Sequence, residues 1–72
     1  MSALFWIVMI GPRGERDYVE KLLEEGLPCV CGDDTEYAGR FDKKHAESIA
    51  KNIRRDWLYP HAAVEIEPVV SI

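Results

Sequence analysis

The residues best suited to chemistry are the cysteines Cys29 and Cys31, the loop Gly11-Pro12-Arg13-Gly14, and the histidines His45 and His61. Two cysteines at i and i+2 on a strand point to one face. A zinc site needs four ligands, usually as two spaced pairs. The only further soft ligands are His45 and His61, which lie far apart in the chain. The spacing also departs from the C-x-x-C redox motif. Cys29 and Cys31 therefore read as small, reduced core residues, and no metal or cofactor is expected.

A glycine-containing loop ahead of a helix can cradle phosphate through backbone N–H groups. Arg13 and Arg16 would assist, but Glu15 and Asp17 already claim the positive helix end and no Walker lysine follows. Gly11–Gly14 then reads as an ordinary strand-to-helix turn. A catalytic histidine needs an orienting carboxylate and a nucleophile or pocket. The hydroxyl candidates besides tyrosine are Ser2, Thr35, Ser48 and Ser71, and none sits in a nucleophile motif. His45 and His61 read as surface residues. A chain this short also has little room for the usual pocket of roughly 300 Å³ or more. The sequence predicts a protein that is not an enzyme.

The elements that position these residues follow from hydrophobic period. Ala3–Ile10 is apolar on both faces, rich in strand formers and stopped by Gly11-Pro12, so it predicts a central first strand. Gly14–Glu25 places Tyr18, Val19, Leu22 and Leu23 on one helical stripe, with Gly26 as its stop, which predicts a first helix. Leu27–Cys31 and Thr35–Phe41, joined by Gly32-Asp33-Asp34, predict a hairpin of the second and third strands. Asp42 is a natural N-cap for a second helix from Lys43 to about Trp57, with Ala46, Ile49, Ala50, Ile53 and Trp57 on one face. Tyr59-Pro60 ends it, because a residue before proline is pushed out of the α region. Ala62–Ile66 alternates and predicts a fourth strand.

Right-handed crossovers then favour an α+β, ferredoxin-like β-α-β-β-α-β fold. Its four-stranded antiparallel sheet has order 4-1-3-2, with both helices on one face. Pro28 and Pro68 fall on the two predicted edge strands, where proline is tolerated. The 72 residues, 47% hydrophobic and 31% charged, make one globular domain, 1–72. The longest apolar run has eight residues, against about 20 for a membrane span. No basic segment precedes it and no cleavage pattern follows it, so the sequence predicts a cytoplasmic chain without membrane association.

Charge and surface point to binding. The net charge is −4, which argues against nucleic acid as the partner. Residues 1–39 carry −5 and residues 40–56 carry +3. Glu20, Glu24, Glu25, Asp33, Asp34 and Glu36 form a predicted acidic face. Lys43, Lys44, Lys51, Arg54 and Arg55 make the second helix basic. Such a division steers a charged partner. The first strand is apolar on both sides, so one of its faces stays open unless a loop or Val69–Ile72 covers it. The expected sheet-face surface contains Phe5, Trp6, Ile7, Met9 and Tyr37, and serves a protein partner or a homodimer.

Tyr37-Ala38-Gly39-Arg40-Phe41, then Asp42, then the helix with Ala46, Ile49, Ala50 and Ile53, resembles the strand–helix segment of SPOR-like domains. The element order and length match over nearly the whole chain. The resemblance implies a ferredoxin-like fold. It also implies an alternative function, binding a polymer such as peptidoglycan glycan strands, or nucleic acid, on the sheet face. By size, charge and predicted compartment the chain also resembles the small accessory proteins of phages, anti-CRISPR proteins among them. That likeness implies a non-catalytic inhibitor of a host defence machine, acting through the acidic face and the apolar sheet face.

Overall fold

The computed structural model describes residues 3–70. Ser2, Ser71 and Ile72 lie outside the described residues. The architecture is α+β: one antiparallel sheet and one helix.

Strand β1 (Leu4–Ile10) is central, as its composition requires. Ile7, Val8 and Met9 are consecutive and all buried. In a strand, consecutive side chains point to opposite faces, so both faces of β1 are covered.

The predicted first helix does not form. Its residues make β2 (Arg16–Leu22), antiparallel to β1 with Val8 opposite Tyr18 and Ile10 opposite Arg16. The cause is the loop before it. The Gly11 carbonyl accepts the Gly14 N–H at 3.0 Å, and the Gly11 N–H donates to the Glu15 carbonyl at 2.8 Å. Proline at the second position and glycine at the fourth suit a tight turn. Gly14, at φ +86°, takes the left-handed conformation that lets a hairpin close with a bulge. Once the chain reverses there, Tyr18 and Val19 are buried on opposite faces of the sheet. A single helical stripe could not use both faces.

Strand β3 (Pro28–Val30) pairs with β2 at the sheet edge, which is where Pro28 was expected. The β2–β3 connection contains one 3-10 turn, Glu24–Gly26. The predicted third strand, Thr35–Phe41, survives only as its last residue. The short strand β4 (Phe41–Asp42) pairs with Leu4 and Phe5 of β1. The preceding residues wrap the sheet instead. The Gly39 N–H donates to the Val19 carbonyl at 2.9 Å. A Cβ at Gly39 would lie 2.4 Å from the Glu20 carbonyl oxygen. That close approach explains the glycine of the Tyr37–Phe41 segment.

Helix α1 (Lys43–Asp56) has the predicted boundaries, and Asp42 is its N-cap, accepting the His45 N–H at 2.8 Å. Ala46, Ile49, Ala50 and Ile53 are its buried face. Strand β5 (Ala63–Pro68) runs antiparallel along the whole other side of β1, from Phe5–Pro68 to Ile10–Ala63. β4, α1 and β5 therefore form one crossover with β1 inserted between its strands. The other crossover of the ferredoxin-like plan is absent, replaced by the β1–β2 hairpin. The predicted order 4-1-3-2 is corrected accordingly. β5 flanks β1 on one side, β2 and then β3 follow on the other, and β4 occupies the start of β1 on the β2 side.

Candidate functional site

The sheet has two unlike faces. On the helix side, Ile7, Met9, Val19 and Val64 pack with Ala46, Ile49, Ala50 and Ile53, and Phe5, Phe41, Trp57, Leu58 and Ile66 border them. On the far side, Val8, Tyr18 and Ala38 form a smaller cluster bordered by Trp6, Ile10 and Cys31. The segment between β3 and β4 thus lies over part of the far face, with Ala38 as its plug.

A polar cluster joins β2 and β5 beside that plug. Arg16 Nη2 on β2 is bonded to Glu67 on β5 and donates to the Tyr18 hydroxyl at 3.2 Å. The Tyr18 hydroxyl donates to Glu67 Oε1 at 2.7 Å. Trp6 meets the Tyr18 ring edge-to-face at 5.8 Å between centroids, a favoured aromatic geometry. The bonds to Tyr18 and Glu67 raise the Arg16 pKa. Burial, then the bond to Glu67, pushes the Tyr18 phenol up. Burial pushes the Glu67 carboxyl up, but the bonds from Tyr18 and Arg16 outweigh it and hold Glu67 below the usual carboxylate range. Each group satisfies another, so the cluster ties β2 to β5 across β1. The Trp6 indole Nε1 beside it is buried without a partner among the described residues.

His61 lies at the entry to β5, as expected, but it is mostly buried. Its Nε2 stands 2.8 Å from Asp17 Oδ2 on β2. Helical spacing puts Asp17 on a helix, and a helix there could not bring it to His61. His45 is exposed, edge-on to Phe41 at 5.5 Å. Cys29 and Cys31 are free, partly buried thiols. Cys31 Sγ lies 3.4 Å from the Tyr18 carbonyl oxygen. Burial, then Glu20 and Asp34, raises the Cys31 pKa, which keeps the thiol protonated and a poor nucleophile. Among the described residues no three His, Cys, Asp or Glu side chains converge to hold a metal. No described helix is long and apolar enough to cross a membrane.

The predicted interaction residues divide. Glu20, Glu24, Glu25, Asp33, Asp34 and Glu36 are all exposed, but they do not make one face. Glu24 and Glu25 stand at the β2–β3 connection. Asp33 and Asp34 follow β3 near the opposite end of that hairpin, where the Tyr18 N–H donates to the Gly32 carbonyl. The predicted sheet-face set is corrected more sharply. Phe5, Ile7 and Met9 face α1 within or against the core, whereas Trp6 is on the far face. Tyr37 is 62% exposed and belongs to the covering segment rather than to a strand.

A different apolar surface is open. Helix α1 lies over β1, β4 and β5 and meets the hairpin chiefly at its 3-10 turn. Val30 pairs with Val19, and Leu22 with Pro28, so Leu22 and Val30 continue the helix-side face past the reach of α1, while Leu23 and Leu27, their extended neighbours at the hairpin end, turn to the other face. Leu22, Leu23, Leu27 and Val30 are each between 37% and 46% exposed. Glu24 and Glu25 stand in the turn between Leu23 and Leu27. The leucines were visible in the sequence, but a helical reading placed Leu22 and Leu23 in the core.

Comparison with protein-family models, curated proteins and solved structures finds no match for this chain. The functional reading rests on the surfaces themselves.

Proposed function

We propose that the protein is a non-catalytic protein-binding module whose docking surface is the exposed aliphatic end of the β2–β3 hairpin. One observation carries this reading: a single helix covers the β1–β4–β5 half of the sheet and leaves Leu22, Leu23, Leu27 and Val30 at the surface. Exposed aliphatic side chains gathered on one element mark interfaces. The flanking Glu24 and Glu25 select a partner with basic residues around an apolar centre. An inhibitor of a host machine, as the phage-protein likeness implies, is one form of such a module. The polymer-binding alternative has less support, since the far sheet face it needs is partly occupied by Ala38 and the segment around it.

Affinity capture from lysate of the source cell tests this with three baits: wild type, Leu23→Asp plus Leu27→Asp, and Glu24→Lys plus Glu25→Lys. The expected result is a stoichiometric protein held by the wild type, lost with the leucine pair and weakened by the glutamate pair. Retention by both variants would move the site elsewhere. Micromolar binding to glycan strands or oligonucleotides, with no captured protein, would favour the polymer reading.

A further inference from the structure

The outer edge of β5 is a second, differently built surface. The Val69 N–H donates to the Leu4 carbonyl, and Leu4 and Val69 continue the β1–β5 register. The backbone groups of Ala63, Glu65 and Glu67 therefore point toward β1, and those of Val64 and Ile66 point away from it. Arg54 confirms the direction, because its Nη2 donates to the outward Val64 carbonyl at 3.2 Å. No strand pairs with that edge among the described residues. Ile66 thus presents an N–H and a carbonyl in the geometry of an unpaired ladder.

A groove runs beside this edge. Glu47, Ala50 and Arg54 of α1 and Ile66 of β5 line about 160 Å³. A space of this size takes one group about as large as benzene, hence one aliphatic side chain. On the opposite face of the same strand Glu65 is exposed and has no salt-bridge partner among the described residues.

We infer that the β5 edge binds an extended segment of another protein by strand addition, with an aliphatic residue opposite Ile66 in the α1 groove and a lysine or arginine beside it opposite Glu65. In antiparallel pairing, directly opposite residues share a face. The residue opposite Ile66 therefore enters the groove, and its chain neighbour meets Glu65. Main-chain bonds supply affinity in this mode, and the alternating side chains supply specificity.

Charge decides against a second copy of this chain. Two β5 edges paired antiparallel through Ile66 set Glu65 on Glu65, Glu65 on Glu67 or Glu67 on Glu67 of the other copy, and like charges directly opposite are destabilising. The remaining register, centred on Val64, needs the carbonyl that Arg54 already holds. The inference shares only the class of partner with the proposed function, and the two surfaces fail separately.

The probe is a synthetic peptide of alternating lysine and valine, titrated into the full chain and followed by backbone amide shifts and hydrogen exchange. The expected result is protection of the Ile66 N–H and shifts along Val64–Pro68. Glu65→Lys, an exposed substitution that leaves the fold intact, should weaken binding at least tenfold. A peptide N-methylated on the valine opposite Ile66 should bind at least tenfold more weakly, because its backbone donor is gone. Absence of binding at millimolar peptide would overturn the inference. So would equal binding of the N-methylated peptide, shifts confined to Leu22–Val30, or protection of Ile66 by self-association without peptide.

Discussion

The β4–α1–β5 half and the β2–β3 hairpin differ in how their apolar residues are used. In the first, every aliphatic on the helix stripe is buried: Ala46, Ile49, Ala50 and Ile53 close on Ile7, Met9 and Val64. In the second, four large aliphatics remain at the surface. The sheet has five strands and the described chain has one helix to cover them. Stability is thus concentrated where the helix lies, and exposed apolar surface is left where it does not.

The largest test of that contrast is in the core. Ile53→Ala should cost about 2–5 kcal/mol, because a fully buried side chain leaves a cavity. Leu27→Ser at the hairpin should cost far less, about 0.5 kcal/mol, since the side chain is 41% exposed and packs in neither core cluster. Urea melts of the two variants read this directly. Equal losses would mean that the hairpin is packed as tightly as the helix half.

Gly39→Ala probes the segment that covers the far face. The added Cβ meets backbone at 2.4 Å, so the segment must shift or β2 must yield, at a cost of about 1–3 kcal/mol. A melt at the wild-type midpoint would show that the segment does not press on β2.

The Arg16–Tyr18–Glu67 cluster joins β5 of the helix half to β2 of the hairpin. Tyr18→Phe should cost about 0.5–1.5 kcal/mol, the usual net value of a hydrogen bond. Glu67 also gives the cluster a pH signature. Its folded pKa lies below the ordinary 4.5, so its contribution is fully present above about pH 4.5. It is lost as pH falls through the lowered folded value. Denaturation midpoints between pH 6 and pH 2 should fall less steeply in Glu67→Gln than in the wild type. Parallel profiles would remove Glu67 from the linkage.

The smallest effect is at the Cys31 thiol. Burial and nearby carboxylates raise the Cys31 pKa, so at pH 8 iodoacetamide should alkylate Cys31 more slowly than a free cysteine in the unfolded chain. Peptide mapping by mass spectrometry gives the rates. Equal rates in folded and urea-unfolded protein would show that the thiol is unprotected.

Much of the helix half was legible without coordinates. The run Ala3–Ile10 has no polar residue to present to solvent, so it had to be a strand covered on both faces, at the centre. Asp42 followed by apolar residues at helical spacing determined where α1 begins and which side it buries. Pro28 could sit only where no ladder donor is needed, at an edge. These are local constraints, set by backbone chemistry and side-chain period whatever the rest of the chain does. The β2 segment was different. Arg16–Leu22 carries Tyr18, Val19 and Leu22 at helical spacing and no strict strand alternation, and its glutamate, lysine and leucine favour helix over strand in isolation. The Gly11–Gly14 turn decided between them, because reversing the chain there puts the backbone of β2 against that of β1, where ladder bonds and burial on two faces exceed a weak propensity. Its proline and glycine positions carried that signal. The long-range meetings of Arg16 with Glu67, Asp17 with His61, and Gly39 with Val19 existed only once the strands were in register, since no spacing along the chain encodes them. What was left exposed, the hairpin leucines and the β5 edge, was likewise decided by tertiary structure, because it depends on how far one helix can reach across five strands.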